Sequence, residues 1–115
     1  MSRDFRLYLD DIVASARKAL AYTHGLTLDQ FLDGDLTRDA VVLNLQIIGE
    51  AAGHVPDDVR ASHPEVEWRR IIGLRNVIAH GYFALNQETI WDIVENHLPA
   101  LLIQVERILA EDSEA

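Results

Sequence analysis

Three side chains in one short stretch have the chemistry to break a phosphodiester. Arg75, Asn76 and His80 lie in the run Leu74-Arg75-Asn76-Val77-Ile78-Ala79-His80-Gly81-Tyr82-Phe83. Histidine titrates near neutral pH, so it can move a proton to or from a ribose 2′-hydroxyl. Arginine stays charged and forks onto phosphate, so it can hold the extra negative charge of a transition state. Asparagine can orient the histidine or the substrate. The reaction these groups suit is attack of a 2′-oxygen on the adjacent phosphorus, which leaves a cyclic phosphate and needs no metal.

Spacing sets a condition on that chemistry. Residues four apart share one face of a helix, so Asn76 and His80 align. Arg75 and His80 are five apart and diverge by roughly 140° on a straight helix. Two arrangements would bring them together. The helix end can distort at Gly81, or Arg75 of one subunit can lie near His80 of a twofold mate. An arginine and a histidine near a helix C-terminus also cap carbonyls and favour the macrodipole. Spacing alone favours that plainer reading.

The elements that must position these residues are helical. Phe5, Tyr8, Leu9, Ile12, Val13, Ala16, Ala19 and Leu20 form one apolar stripe, which predicts a helix from about Arg3 to Thr23. Gly25 stands where that helix should stop. Thr27 to Leu32 reads as one short turn, and Asp33-Gly34-Asp35 as a tight turn. A second helix is expected from Thr37 as N-cap, with Val41, Leu45, Ile48 and Ala52 on its buried face and Val42 and Ile47 widening it. Gly49, Ala51 and Ala52 are small, so another helix or subunit can approach there. Pro56 breaks the helix, and a short helical turn fits before His63-Pro64. The third helix is read from Glu65 to His80, with Gly81 at C′. The fourth starts near Asn86 or Gln87, and Pro99 should kink or split it. No strand alternation is visible, so the fold class is all-α, an antiparallel bundle in a single domain, 1–115. The acidic end from about Ala110 should fray.

Composition narrows the setting. Of 115 residues, 49% are hydrophobic and 25% charged, a globular balance. There is no cysteine, which excludes a disulfide framework, a thiol nucleophile and any Cys-containing zinc site. Early, dense charge argues against a signal peptide, and no apolar run reaches the roughly 20 residues of a membrane span. A soluble, cytoplasmic protein is expected. The net charge of −9 argues against broad coating of nucleic acid. Residues 54–82 nevertheless balance four arginines (Arg60, Arg69, Arg70, Arg75) against four acids, while the rest of the chain is strongly acidic. An anionic ligand belongs in the middle of the chain.

The sequence resembles the HepT-like family of the HEPN superfamily. Arg75-Asn76, three further residues, then His80-Gly81-Tyr82 is similar to that superfamily's R-[polar]-X-X-X-H-X-Y signature. The run from Ala40 to Ala51 resembles its "AV…NL..IGEA" segment. Pro64-Glu65-Val66-Glu67-Trp68, with Ile71-Ile72-Gly73-Leu74-Arg75-Asn76, resembles "PE.PW..I.G.RN", with Glu67 where proline is common. Tyr82-Phe83 and Ile90-Trp91 match the tail, so the likeness spans nearly the whole chain. It implies a four- to five-helix bundle, a symmetric homodimer and a composite cleft at the dimer interface. It implies an RNase toxin, with Arg75, Asn76 and His80 as catalytic residues and no cofactor. It also implies an antitoxin of the MNT nucleotidyltransferase type that transfers AMP onto Tyr82.

Other residues have plainer readings. Glu50, on an apolar helix, either pairs with an arginine such as Arg75 or simply faces solvent, and the pair is the reading preferred. His54 and His63 read as surface histidines, since a metal site would need more ligands at suitable spacing. His97 reads as a packing residue. Trp68 and Trp91 read as core or interface anchors, and Tyr82 could also be an anchor for the helix end. The competing function is a non-catalytic nucleotide- or partner-binding module associated with a nucleotidyltransferase. The acidic surface favours it and the intact Arg75, Asn76 and His80 set disfavours it.

Overall fold

Helix α1 (Phe5–Thr23) starts where Asp4 accepts a hydrogen bond from the Arg6 amide at 3.0 Å. The Arg6 side chain, hydrogen-bonded to the same carboxylate, holds Asp4 below the usual carboxylate range. The computed structural model describes residues 4–81 and 86–114, the side chains at 76–81 and 113–114 excepted. After α1 come α2 (Leu28–Asp33), α3 (Asp35–Gly53), α4 (Asp57–Ser62), α5 (Trp68–Gly81), α6 (Gln87–Asn96) and α7 (Leu98–Glu114). Among the described residues every element is helical, as the apolar periodicity requires.

Local chemistry explains most of the boundaries. Thr27 and Gln30 cap α2 reciprocally: the Gln30 amide donates to Thr27 Oγ1 at 3.2 Å and the Thr27 amide to Gln30 Oε1 at 2.9 Å. Helix α3 begins two residues before Thr37, the expected cap. Gly34 closes α2 through its N–H on the Phe31 carbonyl and opens α3 by accepting from the Arg38 amide. An Asp35–Arg38 ion pair then ties the first turn. Helix α5 begins three residues later than its sequence suggests. The Trp68 indole donates to the His63 carbonyl at 3.0 Å, and the Val66 amide donates to the same carbonyl at 3.2 Å, so the chain stays in a tight wrap until Trp68. Asn86 caps α6 with its side chain on the Glu88 and Thr89 amides. Pro99 splits the last helix rather than bending it. It sits in the first turn of α7, where a missing N–H is harmless. Helix α7 runs on to Glu114, through residues that the sequence suggests are frayed.

The packing centres on α3. It lies between α1 and α5, α7 covers another side of α1, and α2 fits against α3 and α6. Tyr8 near the start of α1 stacks on His54 just after α3, so these two helices run antiparallel. Arg6 pairs with Asp112 and Arg17 with Glu106, so α1 and α7 are antiparallel too. Leu9, Ile12, Ala16, Val41, Leu45, Ile48, Ala52, Val94 and Val105 are fully or almost fully buried between them. Phe31 is buried and its ring lies 5.2 Å from that of Trp91, which seats α2 against α6. Trp68 is buried, as an anchor should be. His97 is not the packing residue expected. It falls in the break between α6 and α7, half-exposed, 3.6 Å from Asp92. Ile47 also departs from expectation: it faces outward rather than widening the core face. Among the described residues no helix is long and apolar enough to cross a membrane.

One contact sets the α3–α5 distance. Gly49 is buried, and a methyl group there would lie 3.0 Å from the Arg75 amide nitrogen, 3.0 Å from the Ile71 carbonyl oxygen and 3.1 Å from Arg75 Cβ. Two of those neighbours are backbone of α5, so only a shift of the helix would make room. Gly73, on α5 itself, has nothing within 4 Å of such a methyl. Gly49→Ala should therefore destabilise the fold by about 1–3 kcal/mol through overpacking. Gly73→Ala should be neutral or stabilise by up to about 1 kcal/mol through helix propensity. Urea unfolding of the two variants checks the contrast, and equal stabilities would contradict the close approach.

Candidate functional site

Helix α5 carries the chemistry-bearing residues. Its backbone is helical from Trp68 to Gly81, so positions 75 and 80 keep the roughly 140° separation of a straight helix, about 7.5 Å apart along the axis. The helix end does not unwind at Gly81 to bring them together. The side chains of Asn76 and His80 and the whole of Tyr82 lie outside the described residues. Arg75 is described, and its surroundings define the site.

Arg75 is held at the junction of α3 and α5. Its backbone rests against Gly49, as above. Its guanidinium reaches along α3 towards Gly53, where a methyl group would lie 3.7 Å from Nη1. That is the last turn of α3, the negative end of the helix dipole, which favours a cation. Arg75 Nη1 lies 3.6 Å from Glu50 Oε2, the pairing expected from the sequence. The other carboxylate oxygen, Oε1, lies 3.5 Å from His54 Nε2. His54 in turn stacks on Tyr8, with ring centroids 5.0 Å apart and planes inclined by 16°. His54 is a surface residue as read, but its place beside Glu50 was not anticipated. The available signal was the four-residue step from Glu50 to His54 on one helix face.

The same face of α3 is apolar further up. Positions 36, 43, 47, 50 and 54 fall within about 40° of one line along the helix. Leu36 is 84% exposed, Leu43 56% and Ile47 38%. An uncovered apolar stripe thus runs along α3 and ends at Glu50 and His54, next to Arg75. A shallow hollow of about 390 Å³ lies between this stripe and α1, with Tyr8, Asp11, Leu43, Ile47 and Glu50 on its walls. A second groove, of about 430 Å³, lies between α5, α6 and α7, where Arg70, Leu74, Asp92, His97 and Leu101 meet. Among the described residues no group of three or more His, Asp or Glu side chains is placed to hold a metal ion. His63 lies 3.4 Å from Glu65 and lines a hollow with Phe5, Asp58 and Ile108.

Comparison with known proteins identifies the family of the chain. The family described as Ribonuclease HepT-like matches residues 12–108. Two proteins of Methanocaldococcus jannaschii with inferred RNase names are 36% and 35% identical, over 95% and 90% of this chain and 90% and 95% of their own. A Thermococcus cleftensis protein with an inferred ribonuclease HepT name is 32% identical over 94% of this chain and 98% of its own. No solved structure matches the chain. The matched span contains Gly49, Glu50, Arg75 and His80 together with the helices that hold them, and the chain belongs to the HepT-like ribonuclease family of the HEPN superfamily.

Proposed function

We propose that this chain is a metal-independent endoribonuclease that acts as a homodimer, the toxin of a toxin–antitoxin pair. The observation that carries the reading is the pairing of Arg75 with an uncovered apolar stripe. A straight α5 keeps Arg75 and His80 of one copy on different faces, so a shared phosphate needs a second copy. Leu36, Leu43 and Ile47 offer a face for that copy, and a stripe of this kind on a helix usually marks an interface. A twofold contact is self-complementary, so a mate seated there brings its own α3 and α5 to the same seam.

In the cleft so formed, His80 takes the proton of a ribose 2′-hydroxyl. The 2′-oxygen attacks the adjacent phosphorus, and the bond to the 5′-oxygen of the next nucleotide breaks. The imidazolium so formed returns its proton to that oxygen. The products are a 2′,3′-cyclic phosphate and a free 5′-hydroxyl. Arg75 stabilises the charge on the pentavalent phosphorus oxygens, and Asn76 orients His80 or the substrate. The antitoxin is an MNT-type nucleotidyltransferase. It silences the enzyme by attaching AMP to Tyr82: the phenol oxygen attacks the α-phosphorus of ATP and pyrophosphate leaves. An anionic adduct two residues beyond His80 then repels RNA at the cleft mouth.

Three experiments check this account. Purified protein should cut RNA in excess EDTA and leave cyclic phosphate ends. Arg75→Ala and His80→Ala should each lower the rate by at least about a hundredfold, as loss of a charge-stabilising or proton-transfer group does. Absence of cleavage by unmodified protein would favour the non-catalytic partner-binding module, which the net charge of −9 also suits. Combined Leu43→Glu and Ile47→Glu should give a folded monomer in sedimentation with little activity. A dimer that survives both changes would place the interface elsewhere. Co-expression with an MNT-type nucleotidyltransferase antitoxin should add one or more AMP masses to the Tyr82 peptide, and Tyr82→Phe should abolish the gain.

A further inference from the structure

We infer that Glu50 is a positioning residue for Arg75, one that steers the guanidinium towards phosphate and weakens RNA binding while doing so. The inference rests on the ribonuclease reading of Arg75. Three helices contribute to the arrangement. Arg75 comes from α5, Glu50 from α3, His54 from the end of α3, and the Tyr8 ring beneath His54 from α1. The two carboxylate oxygens face different partners: Oε2 is 3.6 Å from Arg75 Nη1 and Oε1 is 3.5 Å from His54 Nε2.

The pair is too exposed to be explained by stability. The Arg75 side chain is 37% exposed and that of Glu50 54%, and solvent-screened pairs of this kind add little to a fold. Orientation is what such a contact supplies. Arginine has a long side chain with many rotamers, and its planar fork carries five donors. The carboxylate engages Nη1 at one corner of the fork. Other N–H groups of the same plane remain able to reach a phosphodiester. His54, braced on Tyr8, limits where the carboxylate itself can go. Electrostatics adds a distinguishing feature. A carboxylate beside the phosphate-binding arginine repels RNA, so removing its charge should tighten binding even as it loosens the geometry.

The test uses Glu50→Gln and Glu50→Asp in the full chain. With RNA, Glu50→Gln should lower kcat by about tenfold, the scale on which supporting contacts of functional groups act, while KM stays the same or falls. A 2′-deoxy oligonucleotide, which resists cleavage, should bind Glu50→Gln as well as or better than wild type. Glu50→Asp keeps the charge and should recover part of the lost rate. Wild-type kcat in Glu50→Gln would overturn the inference. So would a fall in kcat shared equally by both variants and tracking a loss of thermal stability. An NMR measurement separates this from failure of the nuclease reading. The Arg75 side-chain Nε–Hε resonance should shift or broaden in Glu50→Gln whether or not the protein cuts RNA. A protein that shows that change but no cleavage retains the positioning contact and loses the nuclease assignment. An unchanged resonance overturns the positioning role itself.

Discussion

The site depends on how close two backbones can come. Helices normally pack with 8–10 Å between their axes, set by the side chains at the contact. At Gly49 there is no side chain, and the Arg75 amide and Ile71 carbonyl occupy the space that one would fill. That brings the root of Arg75 down onto α3. From there its guanidinium reaches the last turn of that helix and the Glu50 carboxylate. A longer α3–α5 distance would carry Arg75 away from Glu50 and from the apolar stripe together. The buried face of α3, with Val41, Leu45, Ile48 and Ala52 in the core, supplies the rigid base on which that approach is held.

An acidic protein that acts on a polyanion must confine its attraction to one place. The chain has a net charge of −9, yet its central residues are balanced. The arginine at the site is itself partly neutralised by Glu50. Long-range steering of RNA is therefore weak in this account. On the proposed reading, short-range geometry in a cleft between two copies is what would hold substrate. Such binding would suit the proposed toxin, and it would give the proposed negative adduct at Tyr82 strong leverage, because little positive potential opposes it.

Much of this was legible in the sequence, and the gaps have physical causes. The long helices follow from apolar residues at three- and four-residue steps, and the small residues at 49, 51 and 52 signalled a close approach. Which of them mattered, and which helix came near, depends on the crossing geometry, which periodicity does not encode. Helix α3 is apolar nearly all round, so its sequence could not say that Leu43 and Ile47 face outward while Val41 and Leu45 face in. Thr37 had the right side chain for a cap. Gly34 took the role because it already ended α2. His97 has apolar neighbours in sequence, but the break before Pro99 turns it to the surface. The Glu50–Arg75 pair could be anticipated from charge on an apolar helix. The four-residue step from Glu50 pointed to His54, whereas the addition of Tyr8 required knowing that α1 runs antiparallel to α3.

The central claim is that Arg75 of one copy and His80 of another serve a single phosphate, and subunit mixing tests it most directly. Arg75→Ala and His80→Ala proteins, each inactive alone, are unfolded together, refolded and assayed on RNA. If the cleft is composite, the mixed dimer holds one intact pair, Arg75 from one chain and His80 from the other, and a substantial part of wild-type activity returns. If both groups act within one chain, every site in the mixture lacks one of them. Proven mixed dimers that stay inactive would contradict the account.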